Sequence, residues 1–114
     1  MITGANVSPL LQSFFTDYLI RQRQASPHTI AAYRDAFRLL LEFAQKRIKK
    51  EPSELGLKDF DAPVIGAFLD HLEKQRGNSA RTRNARLAAI HSFFRYAALQ
   101  EPTCSTVIQR VLAM

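Results

Sequence analysis

The stretch from Ser26 to Pro52 constrains this fold more than any other, because its apolar residues keep one helical period without a break. Ile30, Tyr33, Phe37, Leu40, Leu41, Ala44 and Ile48 fall within about 100° of arc when successive residues turn by about 100°. Such a helix is stable in water only when other elements cover its apolar stripe. Its ends are marked as well. Ser26 followed by Pro27 gives an N-cap and a proline at the first helical position, where the missing N–H breaks no bond. Lys46, Arg47, Lys49 and Lys50 crowd the last turns, where cations suit the helix dipole, and Pro52 breaks the run. The helix itself explains that basic cluster, and no ligand is required.

The same punctuation recurs along the chain. Ser8-Pro9 reads as the start of an earlier helix carrying Leu11, Phe14, Phe15, Tyr18 and Leu19, which should end before Ser26. Residues 51–60 read as a loop with one short turn at most, whose Leu55, Leu57 and Phe60 can plug a core. Asp61 caps a third helix bearing Ile65, Phe68, Leu69 and Leu72, and Gly77 supplies the left-handed residue that stops it. Asn78-Ser79 opens a fourth helix to about Leu99, with Leu87, Ile90, Phe94 and Ala97 on one face, and Pro102 ends it. A short fifth helix from about Ser105 presents Val107, Ile108, Val111 and Leu112. Its apolar residues run to Met114 without a polar close, so it either docks on another domain or closes the core.

Strand alternation, hairpin dipeptides and internal repeats are absent from this sequence. The expected class is all-α: a four-helix bundle of two antiparallel hairpins, first with second and third with fourth, plus the short C-terminal helix. The 114 residues leave room for one domain, and eight Phe can furnish its core. We expect a flexible N-terminus over 1–7, a helical domain over 8–100 and a terminal helical segment over 101–114.

Composition removes several function classes. No apolar run approaches the roughly 18 residues of a membrane span, and Met1 to Asn6 lacks the basic and apolar regions of a signal peptide. A cytosolic location without a membrane partner is therefore expected. Cys104 is the only cysteine, which rules out an intrachain disulfide and a multi-cysteine zinc site. His28, His71 and His91 lie far apart without ligand spacing. His71 has Asp70 and Glu73 nearby, but adjacent helix positions point different ways. No metal, no cofactor and no small-molecule substrate are expected.

Charge points the other way, toward a polyanion. The net charge is +6, from 16 basic and 10 acidic residues. Between Arg76 and Gln100 stand Arg76, Arg81, Arg83, Arg86 and Arg95 with no Asp or Glu, so nearly all the excess lies in one segment. The fourth helix opens inside it, as Ser79-Ala80-Arg81-Thr82-Arg83-Asn84-Ala85-Arg86. Free N–H groups at a helix start suit phosphate oxygens, arginine adds forked donors, and Ser, Thr and Asn add short hydrogen bonds. Cations at that end oppose the dipole, a local cost that a bound polyanion reverses. On a helical wheel Arg83 lines up with Leu87, Ile90 and Phe94, and Arg86 lies about 60° away. Either the first turn projects toward a ligand, or the stems pack on the rim while the heads reach water. The start Ser26-Pro27-His28-Thr29 is by itself as well read as a plain cap. Arg34 and Arg38 flank the core stripe, where they can reach a phosphate or simply be solvated. Tyr33 belongs to the stripe and has no base placed to make it a nucleophile.

These residues also carry a resemblance. Ser26-x-x-Thr29-x-x-x-Tyr33-x-x-x-Phe37, then Phe68-Leu69-x-x-Leu72, then Ser79-x-x-Thr82-x-Asn84-x-x-Leu87-x-x-Ile90-x-Ser92-Phe93-Phe94-x-Tyr96, resembles the N-terminal, SAM-like core-binding domain of tyrosine recombinases, the phage-integrase family. The likeness covers roughly residues 8 to 100, and Pro102 to Met114 resembles the segment leading to the interdomain linker. It implies a helical domain forming half of a clamp around double-stranded DNA, with the N-terminal parts of the second and fourth helices against the duplex. The implied contacts are Ser26, His28, Thr29 and Arg34, together with Ser79, Arg81, Thr82, Arg83 and Arg86. The second helix start carries fewer basic residues than that role suggests. The family's catalytic tyrosine, arginines, lysine and histidine reside in a C-terminal domain that nothing here matches. The chain is thus expected to have no catalytic residue of its own, while a full parent would recombine or integrate DNA alongside other recombinase protomers.

Two further functions fit the composition. One is a helical protein-interaction module using the basic patch and the apolar face of the last helix. The other is a free-standing helix-turn-helix regulator, which the long helices around Gln22 to Ser26 and Gly77 to Ser79 disfavour. An independent enzyme fits least.

Overall fold

The computed structural model describes residues 6–114. Among these the chain is helical and forms no strand. Its order is α1 (Val7–Ser13), which runs on as a π-helical segment (Phe14–Gln22), α2 (Pro27–Ile48), α3 (Ala62–Lys74), α4 (Ala80–Gln100) and α5 (Ser105–Leu112). Short 3-10 turns at Pro52–Glu54, Leu57–Asp59 and Pro102–Cys104 join them. No described helix is long and apolar enough to cross a membrane.

Each cap that sets a main helix is a side chain bonding back to the first turn. Ser26 Oγ accepts from the Thr29 N–H at 3.1 Å, Asp61 Oδ1 from Val64 at 3.1 Å, and Ser79 Oγ from Thr82 at 3.2 Å. Gly77 takes a φ of 65° where α3 stops, and the Asn78 N–H closes on the Leu72 carbonyl at 2.9 Å. At the end of α2 the left-handed residue is Lys49, at φ 62°.

The first helix ends before Ser26, as expected, but departs from the sequence expectation at its start. It starts at Val7, with Asn6 as an N-cap lacking a side-chain bond, and not at a Ser8 cap. The reason is tertiary. The Val7 N–H bonds the Leu55 carbonyl at 2.9 Å, Asn6 pairs with Gly56, and the Ser8 hydroxyl donates to the Pro52 carbonyl at 3.4 Å. The 51–60 loop therefore takes over the helix start, and Val7 is buried. The expected flexible N-terminus falls, for residues 1–5, outside the described residues, whereas Asn6 and Val7 are tied to that loop.

From Phe14 the helix widens to π geometry. The Arg23 N–H reaches back to the Tyr18 carbonyl at 2.7 Å, and Phe14 stacks on Tyr18 with centroids 5.6 Å apart. Phe14 is fully buried among Phe15, Tyr18, Tyr33, Phe37, Phe93 and Tyr96, with centroids 5.4 to 6.4 Å away. Edge-on and offset ring pairs add to plain area burial.

The core continues through Leu39, Leu40 and Ala44 of α2, the loop plugs Leu55, Leu57 and Phe60, and Ile65, Phe68, Leu69 and Leu72 of α3. On α4 the buried set is Ala89, Ile90, Phe93, Phe94 and Ala97, with Leu87 half-buried. The last helix settles one alternative. Ile108 and Val111 are fully buried, Val107 and Leu112 half-buried, and the Val111 carbonyl lies 3.1 Å from His91 Nε2 of α4. Of the two expected roles, docking elsewhere or closing the core, this face takes the second.

Candidate nucleic-acid interface

The interface begins with two helix starts built alike. In Ser26-x-x-Thr29 and in Ser79-x-x-Thr82 the serine hydroxyl accepts from the threonine N–H and donates to the threonine Oγ1, at 3.1 and 3.2 Å respectively. Each box leaves the first amides of its helix without an intrahelical acceptor. At α4 these belong to Ala80 and Arg81. At α2 the first helical residue is Pro27, which has none, so His28 supplies the free N–H. The start of α4 therefore offers more free amides than the start of α2.

Packing brings the two starts to one end of the molecule. Asp35 meets Arg86, Phe37 meets Phe93, and Tyr33 shares a groove with Arg81 and Thr82. Early residues of α2 thus face early residues of α4, so the two helices run in the same general sense. The groove between them has a volume of about 330 Å³ and is lined by Ala32, Tyr33, Ala36, Arg81, Thr82, Ala85, Arg86 and Ala89. The alanines keep its walls low, which lets a bulky ligand approach the backbone of both helices.

The predicted site residues do not share one place. Arg81, Thr82 and Arg86 line the groove, Ser79 caps the helix that carries them, and Ser26 and Thr29 form the box that opens α2. Arg83 leaves α4 on the other side, its Nε 2.8 Å from Glu73 Oε1 of α3. Arg34 turns toward α1, its guanidinium 5.9 Å from the Phe15 ring centroid. His28 is exposed at the first turn of α2.

Electrostatics refine the charge reading. Arg86 Nη2 donates to Asp35 Oδ2 at 3.1 Å, and Arg38 Nη2 lies 2.6 Å from Asp35 Oδ1 while its Nη1 reaches Glu42 at 3.3 Å. The hydrogen bond from Arg38, helped by the charge of Arg86, holds the Asp35 carboxyl below its ordinary value, against the opposing effect of burial. The acid-free segment 76–100 is therefore partly neutralised in space by carboxylates from α2 and α3. Arg81, exposed and in no ion pair among the described residues, keeps its full charge toward solvent.

One cation was not anticipated from the sequence. Arg23, at the end of the π segment, lies close enough to Tyr33 for that side chain's hydroxyl to push the guanidinium pKa up. It adds positive charge near the α2 start, where basic residues looked scarce. Its only sequence signal is the short link between the two helices, which obliges residues 21–25 to lie beside the next helix start. Asp35 as a partner of Arg86 has no local signal, because 51 positions separate them.

Residues 13–101 match the family model described as phage integrase, N-terminal SAM-like domain. The chain is 59% identical over all of its 114 residues to y4rC of Sinorhizobium fredii, named as a candidate integrase/recombinase, of which it covers 34%. It is 50% identical over 108 residues to y4rD of the same organism, similarly named, covering 38% of it. With a tyrosine recombinase XerC of Pelotomaculum thermopropionicum it shares 34% identity over 82 residues, 72% of this chain and 26% of that protein. The chain thus spans between 24% and 38% of the length of the curated relatives it matches. No solved structure matches it.

Proposed function

This chain belongs to the phage integrase N-terminal SAM-like domain family of tyrosine recombinases, and from that membership and its paired helix starts we propose that it clamps duplex DNA for a recombinase. The observation that carries this reading is the groove between α2 and α4, lined by Arg81, Thr82 and Arg86 and walled by alanines, where both helices open on a Ser-x-x-Thr box. Phosphate oxygens are the ligand that free helix-start amides, hydroxyls and guanidinium groups recognise in common. The proposed contacts are Ser26, His28, Thr29 and Arg34 from α2 and Ser79, Arg81, Thr82, Arg83 and Arg86 from α4.

In this reading the body over 8–100 is a four-helix bundle of two antiparallel hairpins. Phe15 beside Phe37 and Arg83 against Glu73 support the two pairings. Residues 101–114 then lead toward a catalytic domain in the longer parent. Strand cutting and rejoining through a tyrosine belong to that domain, and this chain positions DNA for it beside other recombinase protomers in the cytoplasm. The interaction-module alternative keeps its basic patch but loses the apolar α5 face, since Ile108 and Val111 are buried.

Alanine substitutions test the localisation. Arg83→Ala and Arg86→Ala should weaken duplex binding more than Lys49→Ala, which removes an equal charge at the far end of α2. Equal losses from all three would contradict an interface at the start of α4.

A further inference from the structure

Arg83 and Arg86 leave α4 on different sides, and each meets a carboxylate supplied by another helix. Arg83 Nε lies 2.8 Å from Glu73 Oε1 of α3, and Arg86 Nη2 lies 3.1 Å from Asp35 Oδ2 of α2. A carboxylate offers a guanidinium the same kind of charged oxygens that a phosphate does. Two features set these pairs apart from simple struts. The grip on Arg86 is incomplete, because its Nε is buried without a hydrogen-bond partner although the side chain keeps 18% of its exposure. An unsatisfied buried donor favours any rearrangement that gives it an acceptor. Second, both carboxylates remain open to water, at 43% for Asp35 and 42% for Glu73, so solvent can take the place of a departing arginine. Glu73 also stands near the C-terminal end of α3, where a negative charge opposes the helix dipole.

We propose that Asp35 and Glu73 are built-in competitors of DNA phosphate, holding Arg86 and Arg83 until a duplex displaces them. The inference rests on the DNA-clamping reading and adds that the chain sets its own affinity below what its arginines could reach. Random duplexes are then gripped weakly. The arginines transfer fully only where the duplex holds phosphates steadily in place, which raises the ratio of specific to non-specific binding.

The test is a set of anisotropy titrations with a random-sequence duplex at several salt concentrations. It compares the unmodified 114-residue chain with Asp35→Asn, Glu73→Gln and Asp70→Asn. Asp70 is exposed on α3 and joins no ion pair among the described residues, so its substitution reports the bare effect of one added net charge. A freed arginine that gains one phosphate steepens the log–log salt slope by about 0.9, roughly an eightfold gain at about 0.1 M salt against a 1 M reference. Asp35→Asn and Glu73→Gln should therefore bind several-fold tighter than Asp70→Asn, with steeper slopes. Asp35 also holds Arg38, at 2.6 Å, so the control is made in an Arg38→Ala background, where Asp35→Asn should lose its advantage once Arg86→Ala is added. Circular dichroism checks each fold, and the two carboxylates lie on different helices, so either variant suffices if the other misfolds. Binding no tighter than that of Asp70→Asn would overturn the inference and leave DNA binding standing. An unmodified chain with no salt-dependent binding would overturn the proposed function and the inference together.

Discussion

Lys49 ends α2 in the left-handed region, at φ 62°, where a Cβ is disfavoured and glycine is not. Lys49→Gly should therefore raise stability, by about 0.5–1 kcal/mol in a urea melt, because the strain it relieves outweighs the chain entropy it adds. Ser79→Ala should cost about 1 kcal/mol, since it removes the acceptor of the Thr82 amide at 3.2 Å. Asp35 gives a pH signature. Its carboxyl titrates below its ordinary value of 3.8, chiefly through the Arg38 hydrogen bond, so its ionised form favours the folded state. That contribution is fully present above about pH 4 and is lost as pH falls through the folded value. The stability difference between the unmodified chain and Asp35→Asn, followed by urea midpoints, should shrink toward zero in that acid range and stay constant above it. The caps at Ser26, Asp61 and Ser79 and the stop at Gly77 were legible in the sequence because each acts over three or four residues. The Asp35–Arg86 bond was not, because only the packing of α2 on α4 creates it.

At the level of elements, the sequence period located α2, α3, α4 and α5, missed the start and the π form of α1, and left open what covers α5. Helical spacing presumes about 3.6 residues per turn. The run Phe14, Phe15, Tyr18, Leu19 also fits the wider turn of a π-helix, and ring packing against Phe37, Phe93 and Tyr96 selects that form. Tertiary bonding likewise decided where α1 begins, through Val7 and Leu55. For α5 the pattern of Val107, Ile108, Val111 and Leu112 identified an amphipathic helix but not what covers it. The structure answers with α4 and with α3. Ile108 is fully buried, so Ile108→Ala should destabilise the domain by about 2–4 kcal/mol, read as a lowered thermal midpoint. A neutral outcome would mean that α5 is not part of this core.

For the molecule as a whole, the net charge of +6 and its concentration in 76–100 were plain from the sequence, and so were the serine cap and the arginines that open the fourth helix. The balance of charge in space was not plain, because Glu73 and Asp35 come from other helices to meet Arg83 and Arg86. What remains turned outward is a same-end pair of helix starts with Arg81 between them and Arg23 close to Tyr33. If this surface grips DNA as proposed, it does so through phosphate neutralisation, and its affinity then responds to salt. The most direct test is fluorescence anisotropy with a short duplex, from low to physiological salt, at protein concentrations covering a Kd of about 10⁻⁴–10⁻⁶ M. The account predicts that log affinity falls linearly with log salt, and that binding is lost when Arg81, Arg83 and Arg86 are all changed to alanine. Absence of binding at low salt by a folded chain, or an undiminished slope in the triple variant, would contradict it.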